Sequence, residues 1–261
     1  MKEMIDELVK SRELLLIITW KDIKIRYKQS IMGFMWAVLM PMLIVAAGVV
    51  VKVAISFVSG KPLQLADVAS ISVKALPWSF FISAIRFATN SLTGNSNLIT
   101  KIYFPREVFP LAAVLANLLD FAVASAALTV ILAFSGIGVS LQLLWLPFLV
   151  LMLIMFTAGT SLFLACSNLF FRDVKYLVEV FLTFAIFFTP VFYDVSTFGK
   201  WAPLLLINPV GVILEAINAV VVLHQGPDLA WLGYACGCSV VSFLVGWTIF
   251  HRLEFLFAEK I

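Results

Sequence analysis

The chain has 261 residues, 62% hydrophobic and only 13% charged, with a mean hydropathy of +1.07 and a net charge of +3. Soluble domains run nearer half apolar and a quarter charged, so a soluble enzyme, a disordered chain and a disulfide-framed secreted protein are excluded. At ~20 apolar residues per spanning helix, the composition predicts an all-α integral membrane protein with six transmembrane helices, and the small net charge gives no footprint for nucleic acid.

Residues 1–18 read as an amphipathic helix lying flat on the membrane. Met1, Met4, Ile5 and Leu8 keep helical spacing, while Lys2, Glu3, Asp6, Glu7, Lys10 and Arg12 fill the other face. This charge-dense start holds no clean apolar run ending in small residues, so the reading keeps the amino terminus attached. A second basic stretch, Lys21, Lys24, Arg26 and Lys28, closes an interface segment over 1–30.

The remainder, 31–256, is expected to hold the spans. The first runs from about Ile31 to Phe57, with Lys52 near its far end, where it can snorkel. Pro62 and Asp67 mark a polar loop. The second span begins near Ala75, before Pro77-Trp78, carries Arg86, and gives way to Thr93-Gly94-Asn95-Ser96-Asn97 and a loop bearing Lys101 and Arg106. From Phe121 to Phe171 run 51 residues without a formal charge. They hold the later part of a third span (108–135) and a fourth (142–169), with Gly136 and Gly138 as the turn. A short basic loop, Arg172-Asp173-Val174-Lys175, follows.

The fifth apolar segment is brief: 14 uncharged residues between Glu179 and Asp194, ending in Thr189-Pro190. The apolar stretch 201–223 is interrupted by Pro203, Pro209 and Glu215. Broken pieces of this kind suit helices that dip in and return, so 194–228 reads as a re-entrant region on the far side. The last span is about 229–251, and the tail 252–261 is charged, its final residues 257–261 lying beyond the membrane domain.

With six spans, 13 of the 18 basic residues fall on one side: residues 1–30, the 101–106 and 172–175 loops, and the tail. The other side holds Lys61, Lys74 and Lys200. Positive charge stays inside, so both termini are expected in the cytoplasm. A seventh span at 201–223 would move only Arg252 and Lys260 outward.

The sequence carries no G-x-x-x-x-G-K-[ST] and no G-x-G-x-x-G loop. H-E-x-x-H and G-x-S-x-G are absent as well. The two histidines, His224 and His251, stand too far apart for one helical metal motif, and Cys166, Cys236 and Cys238 read as small packing residues. No metal site is expected. Arg86, Asp120 and Glu179 are intramembrane ionisable residues, which are expensive in lipid. They read either as a polar conduit gated by charge pairs or as ion pairs that glue the bundle. Trp36, Trp78, Trp145, Trp201, Trp231 and Trp247 fall near span ends, as an interfacial belt does.

Arg26-Tyr27, Ser30, Gly33, Trp36 and Pro41 set out R-Y-x-x-S-x-x-G-x-x-W-x-x-x-x-P, running into the first span. This resembles the permease subunits of the ATP-binding-cassette exporters that move bacterial O-antigen, capsular polysaccharide and teichoic acid. Phe104-Pro105-Arg106-Glu107-Val108-Phe109-Pro110 stands where that family has its second cytoplasmic loop, and Asn168-Leu169-Phe170-Phe171-Arg172-Asp173-Val174 stands at the third. Thr189-Pro190-Val191-Phe192-Tyr193 and Asn208-Pro209 match its far-side region. The ordered set spans essentially the whole chain.

The resemblance implies a homodimer in the bacterial cytoplasmic membrane, with two copies of a separate ATPase on the cytoplasmic face. ATP and Mg would sit on that partner, with no cofactor in this chain, which is then a channel subunit and not an enzyme. The substrate implied is a lipid-linked polysaccharide, passed through a channel at the dimer interface. Asn97, Lys101, Pro105, Arg106 and Glu107 become a coupling element, joined by Arg172 and Asp173. Pro105 and Pro110 would stiffen that loop, although Arg106 as a headgroup anchor and Asp173 as a helix cap stand beside these roles. Arg26, Tyr27, Ser30 and Trp36 are candidates for the substrate's way in, where Arg26 suits a lipid diphosphate or anchors the membrane surface. Pro190, Tyr193 and Pro209 would shape the exit. A permease for drugs or small lipids shares this architecture. An intramembrane enzyme on polyprenyl-linked sugars would instead work without an ATPase and depend on Asp120 or Glu179.

Overall fold

A computed structural model describes residues 11–28, 30, 32–60, 62–99 and 105–257, and every regular element among them is helical. In chain order these are α1 (Arg12–Tyr27), α2 (Met35–Ser59), α3 (Leu65–Thr89), α4 (Ser91–Gly94), α5 (Ser96–Ile99), α6 (Val108–Phe134), α7 (Leu146–Phe170), α8 (Val174–Phe188), α9 (Ala202–Leu206), α10 (Pro209–Val221) and α11 (Leu229–Leu253). Short 3-10 turns occupy Leu141–Trp145, Val195–Trp201 and Glu254–Leu256.

Five segments are long and apolar enough to cross a membrane: α2, α3, α6, α7 with its leading turn, and α11. The expected boundaries hold closely for the third, fourth and last of these, and Gly136 takes the left-handed backbone (φ 72°) that the turn after α6 needs. The fifth apolar segment forms α8, whose 15 residues extend only ~22 Å at 1.5 Å per residue.

Two expectations change. The second span begins at Leu65 rather than Ala75, so Lys74 lies inside α3 with 1% of its surface exposed, not in a far-side loop. A lysine normally marks a span end because its charge is costly in lipid; here that charge is matched. Lys74 Nζ donates to the Tyr193 carbonyl (2.9 Å) and to Glu215 Oε1 (3.2 Å), and faces Asp194 at 3.5 Å. Lys52 joins from α2, with Asp194 at 2.8 Å and Asp67 at 2.9 Å. Second, α1 runs unbroken to Tyr27 instead of ending near residue 18. Residues 1–10, which carry Met1, Met4, Ile5 and Leu8, lie outside the described residues, as does the tail 258–261.

Removing Lys74 leaves Glu215 and Asp194 short of a counter-charge at a desolvated site. Lys74→Met is therefore expected to cost about 3 kcal/mol of stability, read as a lower thermal midpoint in detergent. Lys52→Met, whose partners are more exposed, costs less; equal losses would contradict this account. Burial works against the Asp194 charge, but the Lys52 hydrogen bond and the two ammonium charges outweigh it and hold its carboxyl below the usual range. Its stabilising contribution is thus complete above the ordinary carboxylate value and is lost as pH falls through its lower folded value.

α3 forms the centre of the bundle. Ala75, Trp78, Ala84, Ile85 and Ala88 are buried, and the helix packs on α2, α6, α7 and α10. The region 194–228 contributes to the core: Val210, Val212, Ile213, Leu214 and Val220 of α10 are buried against α3, α7 and α11. α7 and α11 make the most extensive pairing. A Cβ added to Gly246 would sit 2.1 Å from the Gly159 carbonyl oxygen, so the two backbones touch. Small residues permit such approach in a medium where hydrophobic attraction between helices is absent.

Candidate functional site

The motif between α1 and α2 folds as an elbow. Ser30 Oγ accepts the Gly33 N–H at 3.1 Å, and Gly33 takes a left-handed φ of 51°. That reversal brings Arg26, Tyr27, Ser30, Trp36 and Pro41 onto the wall of one cavity of about 780 Å³. Further wall residues come from α2 (Met40, Leu43, Ile44), α3 (Leu76, Ser79, Phe80, Ser83, Arg86, Phe87), α6 (Asn117, Asp120, Phe121), α8 (Leu182, Thr183, Ile186) and Phe192. The four residues expected at the substrate's way in therefore share a cavity with two of the three intramembrane charges. Motifs far apart in sequence converge there.

Asp120 is the anchor of the polar end. One carboxylate oxygen pairs with the Arg26 guanidinium, and the other accepts the Tyr27 hydroxyl at 2.5 Å. Arg26 also donates to Asn117 Oδ1 at 3.1 Å and lies over the Phe87 ring, 4.0 Å from its centroid. Arg26 and Asp120 are less than a fifth exposed, so each depends on the other for charge compensation. Burial, then the Asp120 bond, push the Tyr27 hydroxyl up, which keeps it a donor. Tyr27 stacks on Phe34 at 4.4 Å between centroids.

The third intramembrane charge sits at the side. Glu179 Oε2 accepts from Arg86 Nε at 2.8 Å, joining α8 to α3, with both side chains half-exposed. α2 and α8 present many exposed apolar side chains beside the cavity, including Met35, Met42, Leu43, Leu177, Phe181, Phe184 and Phe188.

The expected exit residues are knitted together. Asn208 caps α10 by accepting the Val210 N–H at 3.1 Å and donates to Thr189 Oγ1 at 2.9 Å. Pro209 is the first residue of α10, where its missing N–H costs nothing. Pro190 is buried and packs against Gly211, and the Tyr193 hydroxyl donates to the Phe187 carbonyl at 3.1 Å.

The expected coupling residues divide. Lys101 and Phe104 lie outside the described residues, and of Asn97 only the backbone, within α5, is described. Arg172 and Asp173 are exposed, and Asp173 makes no side-chain cap to α8. Pro105 is half-buried. Arg106 and Glu107 turn toward the end of α11. The Arg106 N–H donates to Glu254 Oε1 (3.0 Å) and its guanidinium to the Glu254 carbonyl (2.5 Å), while buried Glu107 meets His251 at 3.4 Å.

Asn117 escaped the sequence reading, and Asn168 entered it only as part of a motif, with no role assigned. Asn117 sits three residues before Asp120 on the same helix face, and that i, i+3 polar pair in an apolar span was the available signal. Asn168, 1% exposed, donates to the Thr89 carbonyl at 2.9 Å and accepts the Lys175 N–H at 3.2 Å, pinning the α7–α8 turn to α3.

A family profile described as ABC-2 type transporter matches residues 13–222. Among curated proteins, an O-antigen export system permease protein RfbA of Myxococcus xanthus is 28% identical over 266 residues, covering 100% of both chains. A Klebsiella pneumoniae protein of the same name is 27% identical over 250 residues, 95% of this chain and 94% of the relative.

Proposed function

The chain belongs to the ABC-2 type transporter family, and from that premise we propose that it is the membrane-spanning subunit of an exporter of lipid-linked polysaccharide, of O-antigen type. The permease is a transport subunit, not an enzyme; a separate ATPase binds and hydrolyses ATP with Mg. The observation that carries the substrate assignment is the cavity. It joins a polar, hydroxyl-bearing mouth, with Arg26, Tyr27 and Ser30, to walls bearing Trp36, Phe80, Phe87, Phe121 and Phe192. A lipid diphosphate suits the forked donors of Arg26, and sugar rings suit aromatic faces. The relatives' printed names point to the same class of cargo.

In this reading α8 is the fifth of six crossings, residues 12–27 lie at the cytoplasmic surface, and both termini face the cytoplasm of a bacterial cell. Two copies associate through the exposed faces of α2 and α8, closing the open side of the cavity into a channel. Two ATPase copies dock near Pro105–Glu107, Arg172 and Asp173, with Lys101 and Asn97 in the same loop region. Arg172 and Asp173 are the outward-facing members of that set. Pro190, Tyr193 and Pro209 frame the exit.

Purification of the mildly solubilised chain from its native membrane should bring down an ATP-binding-cassette subunit in equal amount. Arg172→Ala with Asp173→Ala should weaken that recovery about tenfold, since two rim contacts are each worth roughly 0.5–1 kcal/mol. A chain recovered alone, under conditions that keep other transporters intact, would sink the assignment.

A further inference from the structure

We propose that Glu107, His251 and Glu254 form a binding site for one divalent transition-metal ion of zinc type. Glu107 immediately precedes α6. His251 lies in the last turn of α11, and Glu254 follows three residues later on the same face. One ligand atom from each lies within 4.8 Å of the others. His251 Nδ1 is 3.4 Å from Glu107 Oε1 and 3.7 Å from Glu254 Oε2. A tetrahedral ion with bonds of about 2.0–2.1 Å needs ligand atoms roughly 3.3–3.5 Å apart, so two edges of the coordination triangle are nearly in place.

The charge pattern points to a cation independently of that spacing. The Glu107 side chain is 5% exposed, and its second oxygen, Oε2, is buried with no hydrogen-bond partner among the described residues. A buried carboxylate oxygen without a donor is costly, and a second carboxylate beside it adds repulsion. A dication offsets the repulsion, and one bound across both Glu107 oxygens would also give Oε2 a partner. Its ligands also have outer support: the Arg106 N–H holds Glu254 Oε1 at 3.0 Å, leaving Oε2 turned to His251, and the Arg106 guanidinium grips the Glu254 carbonyl. Such contacts orient metal ligands.

The donor set selects the ion. One imidazole and two carboxylates favour zinc over magnesium or calcium, which take oxygen alone. Three protein ligands leave a fourth position for water. Nδ1 ligation requires the proton on Nε2, and the ring is 43% exposed, which gives the ion a way in. An ion here would tie the Pro105–Glu107 turn to the end of α11. About 144 residues separate Glu107 from His251, which is why helical motif spacing does not reveal the set.

The test uses the full-length chain in lipid nanodiscs, with its affinity tag removed and metals stripped by EDTA. Titration with Zn²⁺ alone should give one equivalent per chain with a Kd near or below about 1 µM. It should also raise the thermal midpoint. His251→Gln and Glu254→Gln should each weaken binding by about 100-fold or more. Should either variant fail to fold, Co²⁺ added to the unmodified chain reports instead, through the strong visible bands of a four-coordinate ion. Absence of saturable Zn²⁺ binding below about 100 µM, equal binding by the variants, or equal stabilisation by Mg²⁺ would overturn the proposal. So would a Co²⁺ spectrum matching the free ion; the trio would then be a proton-mediated His–carboxylate link.

Discussion

Asp120→Ala is expected to destabilise the purified protein by about 3–5 kcal/mol and to abolish export of lipid-linked polysaccharide. The loss of stability follows from what remains behind. Arg26, less than a fifth exposed, would lose its hydrogen-bonded counter-ion while keeping the neutral Asn117 amide and the Phe87 ring, and Tyr27 would lose its acceptor. The double variant Arg26→Met/Asp120→Leu removes both charges together. A buried ion pair replaced by apolar side chains of similar volume is often neutral or better, so the double variant should regain most of the stability. Its export should stay at least tenfold below that of the unmodified chain, because the proposed role of Arg26 is to meet the diphosphate of the cargo. Thermal unfolding and export measured on the same three variants separate the two roles open to this pair. Recovery of both stability and export in the double variant would make Arg26–Asp120 simple glue between α1 and α6, and the cavity would lose its assigned mouth.

The second large effect lies in the α7–α11 seam. Gly246→Ala places a methyl carbon 2.1 Å from the Gly159 carbonyl oxygen, and a Cβ on Gly159 would meet the Ser242 and Phe243 backbone at 2.4 Å. No rotamer change relieves a clash between backbones, so the helices must separate along their most extensive contact. Overpacking costs about 1–3 kcal/mol when side chains can give way, and at least the top of that range is expected here. Gly237→Ala, in the same helix, is the control, since nothing lies within 4 Å of its added carbon. Denaturant titration in mixed micelles reads both. Equal stability of the two variants would contradict the close approach.

Ser242-Phe243-Leu244-Val245-Gly246 is a small-x-x-x-small spacing, the sequence sign of such a seam. A reading that treats α11 only as a clean apolar run passes over it, because hydropathy averages erase which positions are small. The elbow motif is the opposite case. Arg26, Tyr27, Ser30, Trp36 and Pro41 were all marked from sequence, and all line the cavity. Local spacing sufficed there because the motif is one continuous stretch whose turn needs Gly33 at positive φ. Lys74 shows where local reasoning fails. Its charge looked like a span boundary, yet its neutralising partners, Tyr193, Asp194 and Glu215, stand 119 to 141 residues away.

The class of molecule is legible in the order of residues alone. Apolar runs are counted against the thickness of a bilayer, and basic residues are counted by the loops that hold them, so membrane residence, helical architecture and most span limits follow from composition taken in order. Which charge faces which emerges only from the packed bundle. Arg26 meets Asp120 across 94 positions, Arg86 meets Glu179 across 93, and Glu107 meets His251 across 144. Pairing at such separations depends on the rotation and depth of each helix in the bundle, which side-chain packing sets and hydropathy does not record.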